Sequence, residues 1–258
     1  SAQSPALTAE LEDAGAPVGA VGTLVSALVD FAVPGGQVDN VTDPDVGASF
    51  FLNQLQQGLG LFLGITGCEW NGTDAIALGM ADYLLDDDCK DQLPTMLAKQ
   101  SWSDNADKNH ETMSQCLQSL PPAAVLPQFT PHINTIAAAC SGSLKHATTA
   151  LQSLSINEAW FERALENLTH GCPVTACIVA EQLQRGRGMP LADVFRMEWV
   201  LSMQCMQHPD FPEGVRAQLV DKDKTPRWQF TSIDAVPPAY VTAHFLLPTL
   251  SNPLDDLR

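Results

Sequence analysis

Apolar residues along this chain fall into short clusters, and a glycine, proline or acidic residue closes almost every one. Positions 50–55 and 59–65 are two apolar stretches parted by Gly58 and followed by Gly67, the pattern of two short buried helices ended by glycine. Thr73 stands where it can cap a helix over 74–78, Gly79 ends that helix, and the apolar run 80–85 is short enough for a strand. Three aspartates at 86–88 then turn the chain to solvent. From 91 to 156 the period weakens, and Pro121-Pro122, Pro127 and Pro131 mark loops between helices.

Past residue 156 the helical period sharpens. Ser155 with Glu158 reads as a capping box before Trp160, Phe161, Leu165 and Leu168. Pro173 opens a second helix that runs to Arg185, ahead of Gly186 and Gly188. A third runs from Leu191 to about Gln207 with Val194, Met197, Leu201 and Cys205 along one face. The chain thus divides into a Gly/Ala-rich segment (1–42), a partial core with a loop-rich helical connection (43–156) and a helical region (157–258). No self-similarity recurs with the period of roughly 20–50 residues that marks a solenoid.

Composition narrows the function classes. With 258 residues, 45% of them apolar, the chain can bury a full core. No apolar run approaches the ~20 residues needed to cross a bilayer, positions 20–33 included. A formal charge of −17, with no Lys or Arg before Lys90, argues against binding nucleic acid, whose phosphates require cations. Seven cysteines without a C-x-x-C pair suit a reducing compartment. His170, Cys172, Cys205 and His208 have soft-ligand spacing for zinc; the competing reading is that the cysteines are ordinary core residues. Asn-x-Thr triplets at 40, 71 and 167 do not imply secretion, since the last lies inside a predicted helix. The N-terminus has neither a basic n-region nor an Arg-rich amphipathic stretch, so it does not read as a signal or transit peptide, and a presequence removed before Ser1 stays open.

Five stretches together resemble one known family. They are Pro44-Asp45-Val46-Gly47 followed by Ala48-Ser49-Phe50-Phe51-Leu52; Leu59-Gly60-Leu61-Phe62-Leu63-Gly64-Ile65-Thr66-Gly67; and Asp74-Ala75 leading to Gly79-Met80-Ala81-Asp82. Then come Cys172-Pro173-Val174-Thr175 with Val194-Phe195-Arg196-Met197-Glu198, and last Glu213-Gly214-Val215-Arg216-Ala217 with Asp221-Lys222-Asp223, Pro226 and Trp228. In order and spacing, from about residue 43 to 245, they are similar to the C-terminal part of the 3-hydroxyisobutyryl-CoA hydrolase branch of the crotonases. The resemblance implies an α/β fold: a truncated crotonase-like ββα spiral followed by a C-terminal helical layer that packs on it and often mediates oligomers. It implies acyl-CoA thioester hydrolysis, with coenzyme A as part of the substrate and no separate cofactor, and a mitochondrial or other organellar matrix.

Thioester hydrolysis needs donors for the oxyanion and a carboxylate as nucleophile or base. The resemblance assigns the carboxylates to the aspartate of the first motif, here Asp45, and to a glutamate about eight residues earlier. Counting back without a gap reaches Gln37, which has no ionisable oxygen and cannot accept the proton, although Glu10 or Glu12 could stand in from a distance. The family's first oxyanion donor belongs to a segment well upstream of the aspartate. With 44 residues before Asp45, that segment is not expected in its usual form. Val18-Gly19-Ala20-Val21-Gly22 faintly resembles the second donor's glycine loop, in a stretch where chance would produce the same letters.

Arg216, Lys222, Lys224 and Arg227 are the densest basic cluster of an acidic chain and a candidate seat for coenzyme A phosphates; equally, Asp221 and Asp223 could neutralise them in a solvated turn. Trp228 reads as core packing rather than an adenine platform. The expectation from the sequence is therefore a catalytically impaired member that serves as a structural or interaction subunit, with other protein subunits or copies of itself as partners. The alternative is an active hydrolase or hydratase using Asp45 with the missing half supplied elsewhere.

Overall fold

In a computed structural model of the chain, residues 47–248 and 251–257 are described, and they fall into two compact units. Trp70–Thr130 belongs to one; the residues up to Glu69 and the chain from Pro131 onward belong to the other. Asp45 and Gln37 lie outside the described residues, as does the expectation that Asp45 opens a helix.

The second unit begins with α1 (Ala48–Leu52) and α2 (Leu59–Thr66), the two short helices that the glycine-bounded apolar runs predict. Buried Phe62 of α2 stacks on Phe161, with ring centroids 6.4 Å apart. Gly60 lets α1 and α2 approach backbone to backbone. A Cβ there would sit 2.3 Å from the carbonyl oxygen of Leu52, a contact real side chains do not make.

The other unit holds α3 (Gly72–Ala77), a 3₁₀ turn at Asp87–Cys89, α4 (Gln92–Ala98) and α5 (Ala106–Gln118). Leu93 and Leu97 of α4 meet Cys116 and Leu117 of α5, with Cys89 and Leu120 closing the cluster. The start of α3 differs from expectation: Asn71, not Thr73, is the N-cap, its side chain accepting from the Asp74 N–H in a capping box, while Thr73 donates to the carbonyl of Val125. No strand forms over 80–85. Leu85 makes one isolated antiparallel bridge to Pro122, framed by Asp86 N–H to Pro121 O and Ala123 N–H to Leu84 O. Two successive prolines offer no N–H to extend the ladder. Asp86, Asp87 and Asp88 are exposed, and Asp86 caps the turn by accepting from the Asp88 N–H.

Asp74 fastens this unit together. It is fully buried and accepts hydrogen bonds from the N–H groups of Gln128, Phe129 and Thr130 and from the Thr130 hydroxyl at 2.7–3.2 Å. Burial alone would push its carboxyl up; the bonds from Thr130, Phe129 and Gln128 outweigh that and hold it below the usual aspartate value.

From Pro131 the second unit continues through α6 (Ile133–Ala139), α7 (Leu144–Ser153), α8 (Ala159–His170), α9 (Pro173–Gly186), α10 (Leu191–Gln207) and α11 (Asp210–Val215), then a π turn at Arg216–Val220, a 3₁₀ turn at Ile233–Ala235 and α12 (Pro238–Ala243). The helices at Pro173 and Leu191 match expectation, with Pro173 in the first turn. The capping box before α8 does not form. Glu158 is itself the N-cap residue, and its carboxylate turns to Trp160 Nε1 and His132 Nε2, each at 2.7 Å. α9 packs chiefly across α2; Val174 and Ile178 of α9, Leu201 and Cys205 of α10, and Val236 form a core flanked by Phe211, Trp228, Phe230 and Tyr240. No helix among the described residues is long and apolar enough to cross a membrane.

Two substitutions test these joints. Gly60→Ala should lower the denaturation midpoint, because forcing a methyl group against the Leu52 carbonyl costs about 1–3 kcal/mol while helix propensity returns at most about 1; an unchanged midpoint would mean that α1 and α2 part freely. Asp74→Asn turns an amide NH₂ toward donors that need an acceptor and should cost about 2–3 kcal/mol, read from urea unfolding.

Candidate functional site

The segment of interest is the one that follows Asp45 in sequence. Gly47 has φ +89°, a left-handed conformation that disfavours every residue with a Cβ, and it is the N-cap of α1. A glycine N-cap has no side chain to accept from the free N–H groups of the first turn. Glu198 does so instead, from α10 and about 150 residues away. Its Oε2 accepts from Gly47 N–H at 2.6 Å, and its Oε1 accepts from Ser49 N–H at 2.9 Å and from the Ser49 hydroxyl at 2.7 Å. Gln182 of α9 donates to the Ser49 hydroxyl at 2.5 Å. Glu198 is 3% exposed and has no cation within ion-pair distance among the described residues. Three helices therefore converge on one buried carboxylate at Gly47, the last residue of the Pro44-Asp45-Val46-Gly47 sequence.

Sequence reasoning missed Glu198 as a site residue, although a signal was present. Position 198 lies four residues after Val194 and three before Leu201, on the apolar face of α10, where a glutamate needs an internal partner.

The basic cluster resolves into unlike parts. Arg216 is held by Glu213 (2.8 and 2.9 Å), Asp221 (2.6 Å) and Asp223 (2.7 Å) and also donates to the carbonyl of Thr225. Glu213 further accepts from the Arg227 N–H at 2.8 Å. The guanidinium thus knits the π turn to the following loop, in which Lys222 and Lys224 both take left-handed backbone conformations. The side chains of Lys222, Lys224 and Arg227 are exposed and pair with no carboxylate among the described residues. Hydrogen bonding to Arg216, then the bond from Arg227 N–H, holds Glu213 down at about 2; Arg216, then Thr225 N–H, does the same for Asp223, also about 2. Trp228 packs half-buried on the core flanking α9 and α10, and its indole N–H donates to the carbonyl of His170.

Of the residues with zinc-like spacing, Cys172, Cys205 and His208 line a small cavity with Asp210 and His244, while His170 is exposed. Burial pushes the Cys172 thiol up to about 11, away from the thiolate a metal would need. No group of three or more His, Cys, Asp or Glu among the described residues is arranged to hold a metal ion.

Comparison with known proteins agrees with this geometry. The enoyl-CoA hydratase/isomerase family matches residues 23–245, and the chain belongs to that family. It is 32% identical over 205 residues to the mitochondrial 3-hydroxyisobutyryl-CoA hydrolase of Danio rerio, covering 78% of this chain and 53% of that protein. With the human protein of the same description it shares 31% over 210 residues, 78% and 52% of the two chains. The chain spans about half the length of the curated relatives it matches. Among solved structures, an enoyl-CoA hydratase from Rhodobacter sphaeroides superposes with a TM-score of 0.64 at 25% identity, over 79% of this chain and 56% of that one. A carnitinyl-CoA dehydratase from Mycobacterium thermoresistibile reaches 0.70 at 23% identity, over 84% and 60%. The α/β crotonase-like fold is thereby established at the level of architecture, the described residues being its mostly helical part.

The acid network makes a pH prediction. Glu213 and Asp223 titrate lower in the folded chain than their ordinary values of 4.5 and 3.8, so their contribution is whole above about pH 4.5 and is lost as pH falls toward about 2. Carboxyl titration by NMR should give Glu213 a midpoint of about 2 in the native protein, and Glu213→Gln should flatten the dependence of stability on pH in that window.

Proposed function

We propose that this chain serves acyl-CoA thioester chemistry of the kind named for its 3-hydroxyisobutyryl-CoA hydrolase relatives, contributing Asp45 as the carboxylate, with coenzyme A as part of the substrate and no separate cofactor. The observation that carries this reading is the Glu198 clamp. A buried carboxylate with no cation beside it among the described residues is costly to keep, and here it holds Gly47 and Ser49, two and four residues after Asp45 in the sequence. The exposed Lys222, Lys224 and Arg227 are cations open to the phosphates of coenzyme A, whereas Arg216, engaged by three carboxylates, shapes the loop that carries them. A mitochondrial matrix location accords with the names of the relatives.

One observation favours a second reading, in which the chain is catalytically impaired and acts as a structural or interaction subunit with other proteins or further copies of itself: Gln37 stands at the position the resemblance gives to a glutamate. Loss of an acid/base group costs typically ~10²–10⁴-fold in rate.

The two readings separate in a thiol-release assay with 3-hydroxyisobutyryl-CoA on the wild type, Asp45→Ala and Gln37→Glu. The expected result is release that falls at least about 10²-fold in Asp45→Ala and rises in Gln37→Glu. Release that is absent from the wild type and restored by Gln37→Glu would favour the impaired subunit. Release insensitive to Asp45 would place the chemistry on other residues. Binding of free coenzyme A should weaken with added salt, since the cations offered are exposed.

A further inference from the structure

We propose that His208, His244 and Asp210 form a proton-sensitive latch that holds α12 to the helical layer at neutral pH and releases it in mild acid. His208 is the C-cap of α10 and His244 that of α12. Each ring uses Nδ1 on the carbonyl four residues back, Gln204 at 2.7 Å and Tyr240 at 2.9 Å. A carbonyl only accepts, so Nδ1 carries the hydrogen in both rings and Nε2 is left to take up a proton. The two rings meet with centroids 3.9 Å apart, and Tyr240 lies against both at 5.2 Å. At that separation two neutral imidazoles pack, whereas a proton on one opposes a proton on the other. Asp210, in the first turn of α11, lines the same cavity as both rings. Its Oδ1 accepts from Gln229 N–H at 2.7 Å, while its buried Oδ2 has no hydrogen-bond partner among the described residues. The cavity measures about 30 Å³, room for little more than a water molecule, so an imidazolium formed here has that carboxylate as its countercharge.

The groups around His244 set the direction of the response. Cys205 and His208 approach from α10, Asp210 from α11, Cys172 from the start of α9 and Tyr240 from its own helix. Arg185 of α9 lies over the ring of Phe245, the next residue, and is paired with Glu181. Burial raises Cys172 and Tyr240 and so keeps both neutral. Burial also pushes His244, 1% exposed, below its ordinary 6.5, and His208 adds to this; the Tyr240 carbonyl and Asp210 pull the other way without cancelling it. A histidine harder to protonate in the folded chain contributes its stability in full above about pH 6.5 and loses it as pH falls toward the folded midpoint. With α12 swung out, the ring meets water and protonates normally, so acid favours the open arrangement. Asp210 raises the pH at which this happens. Tyr240, Val241 and Phe245 pack on the core of Val174, Ile178 and Leu201, so release uncovers apolar surface beside the exposed Leu246 and Leu247.

Histidine NMR titration and amide hydrogen exchange on the full chain test the latch, and neither needs thioester turnover. The His244 midpoint is expected below 6.5. It should be lower still in Asp210→Asn, which keeps an oxygen for the Gln229 N–H, and higher in His208→Gln, which removes the repelling ring. Exchange of α12, corrected for the pH dependence of the exchange chemistry itself, should be about threefold or more faster at about pH 5.5 than at about pH 7.5, with α2 and α5 unaltered. A His244 midpoint at or above 6.5 overturns the proposal, as does a midpoint indifferent to both substitutions. Acceleration shared with α2 and α5 is general acid unfolding and overturns it too. Should either variant fail to fold, wild-type exchange decides: acceleration confined to α12 sustains the latch, and its absence ends it.

Discussion

A buried carboxylate that captures backbone N–H groups from distant parts of the chain is the interaction on which this structure depends. Glu198 takes the first N–H groups of α1, across about 150 residues, and has no cation beside it among the described residues. Its desolvation is offset by short hydrogen bonds and by the positive end of a helix rather than by an ion pair. The geometry is demanding in return. Removing the acceptor would leave two backbone donors and a hydroxyl facing a dry interior, so the arrangement of α1, α9 and α10 at this point has few alternatives.

The same device recurs. Asp74 gathers the N–H groups of Gln128, Phe129 and Thr130. Asp210 accepts from Gln229 N–H at 2.7 Å, and Glu213 accepts from Arg227 N–H while pairing with Arg216. Each joins a helix to a loop that comes later in the chain. In a protein of formal charge −17, many acids face solvent, but these four, three buried and Glu213 partly so, accept from backbone N–H groups that no helix or ladder satisfies. Hence several motifs that resemble the hydrolase family work first as architecture. The Glu213-Gly214-Val215-Arg216-Ala217 stretch with its Asp-Lys-Asp sequel is a closed network of one guanidinium and three carboxylates, and its exposed cations are those that the network leaves outside itself.

This architecture bears on function through separation of tasks. The crotonase-like fold, shared with a hydratase and a dehydratase that act on different acyl groups, supplies a scaffold and does not itself name a reaction. The groups that would carry chemistry, Asp45 among them on the reading proposed above, are a matter separate from that scaffold. The helical layer contributes precision: a helix end locked at two points by a carboxylate of low conformational freedom.

The sequence alone determined the helices whose period is long and whose ends are punctuated, those at Pro173 and Leu191 above all, and the family, because ordered motifs over some two hundred residues survive where single tetrapeptides mean little. It also contained the candidate residues Asp45, Gln37, Arg216, Lys222, Lys224 and Arg227, by resemblance and by charge. It did not reveal which cations are already engaged, since Arg216 is distinguished from Lys222 and Lys224 only by the acids that reach it after the turn at 216–220 has formed. Local rules misjudged the starts of α3 and α8 and the run 80–85, because Asn71 competes with Thr73, His132 draws Glu158 away from a cap, and two prolines oppose the would-be strand. Only the tertiary structure could make Glu198 a cap for α1. A capping rule reads three or four residues along the chain, whereas here donor and acceptor meet because α10 lies beneath α1, a proximity set by packing of the whole unit and invisible in any local window.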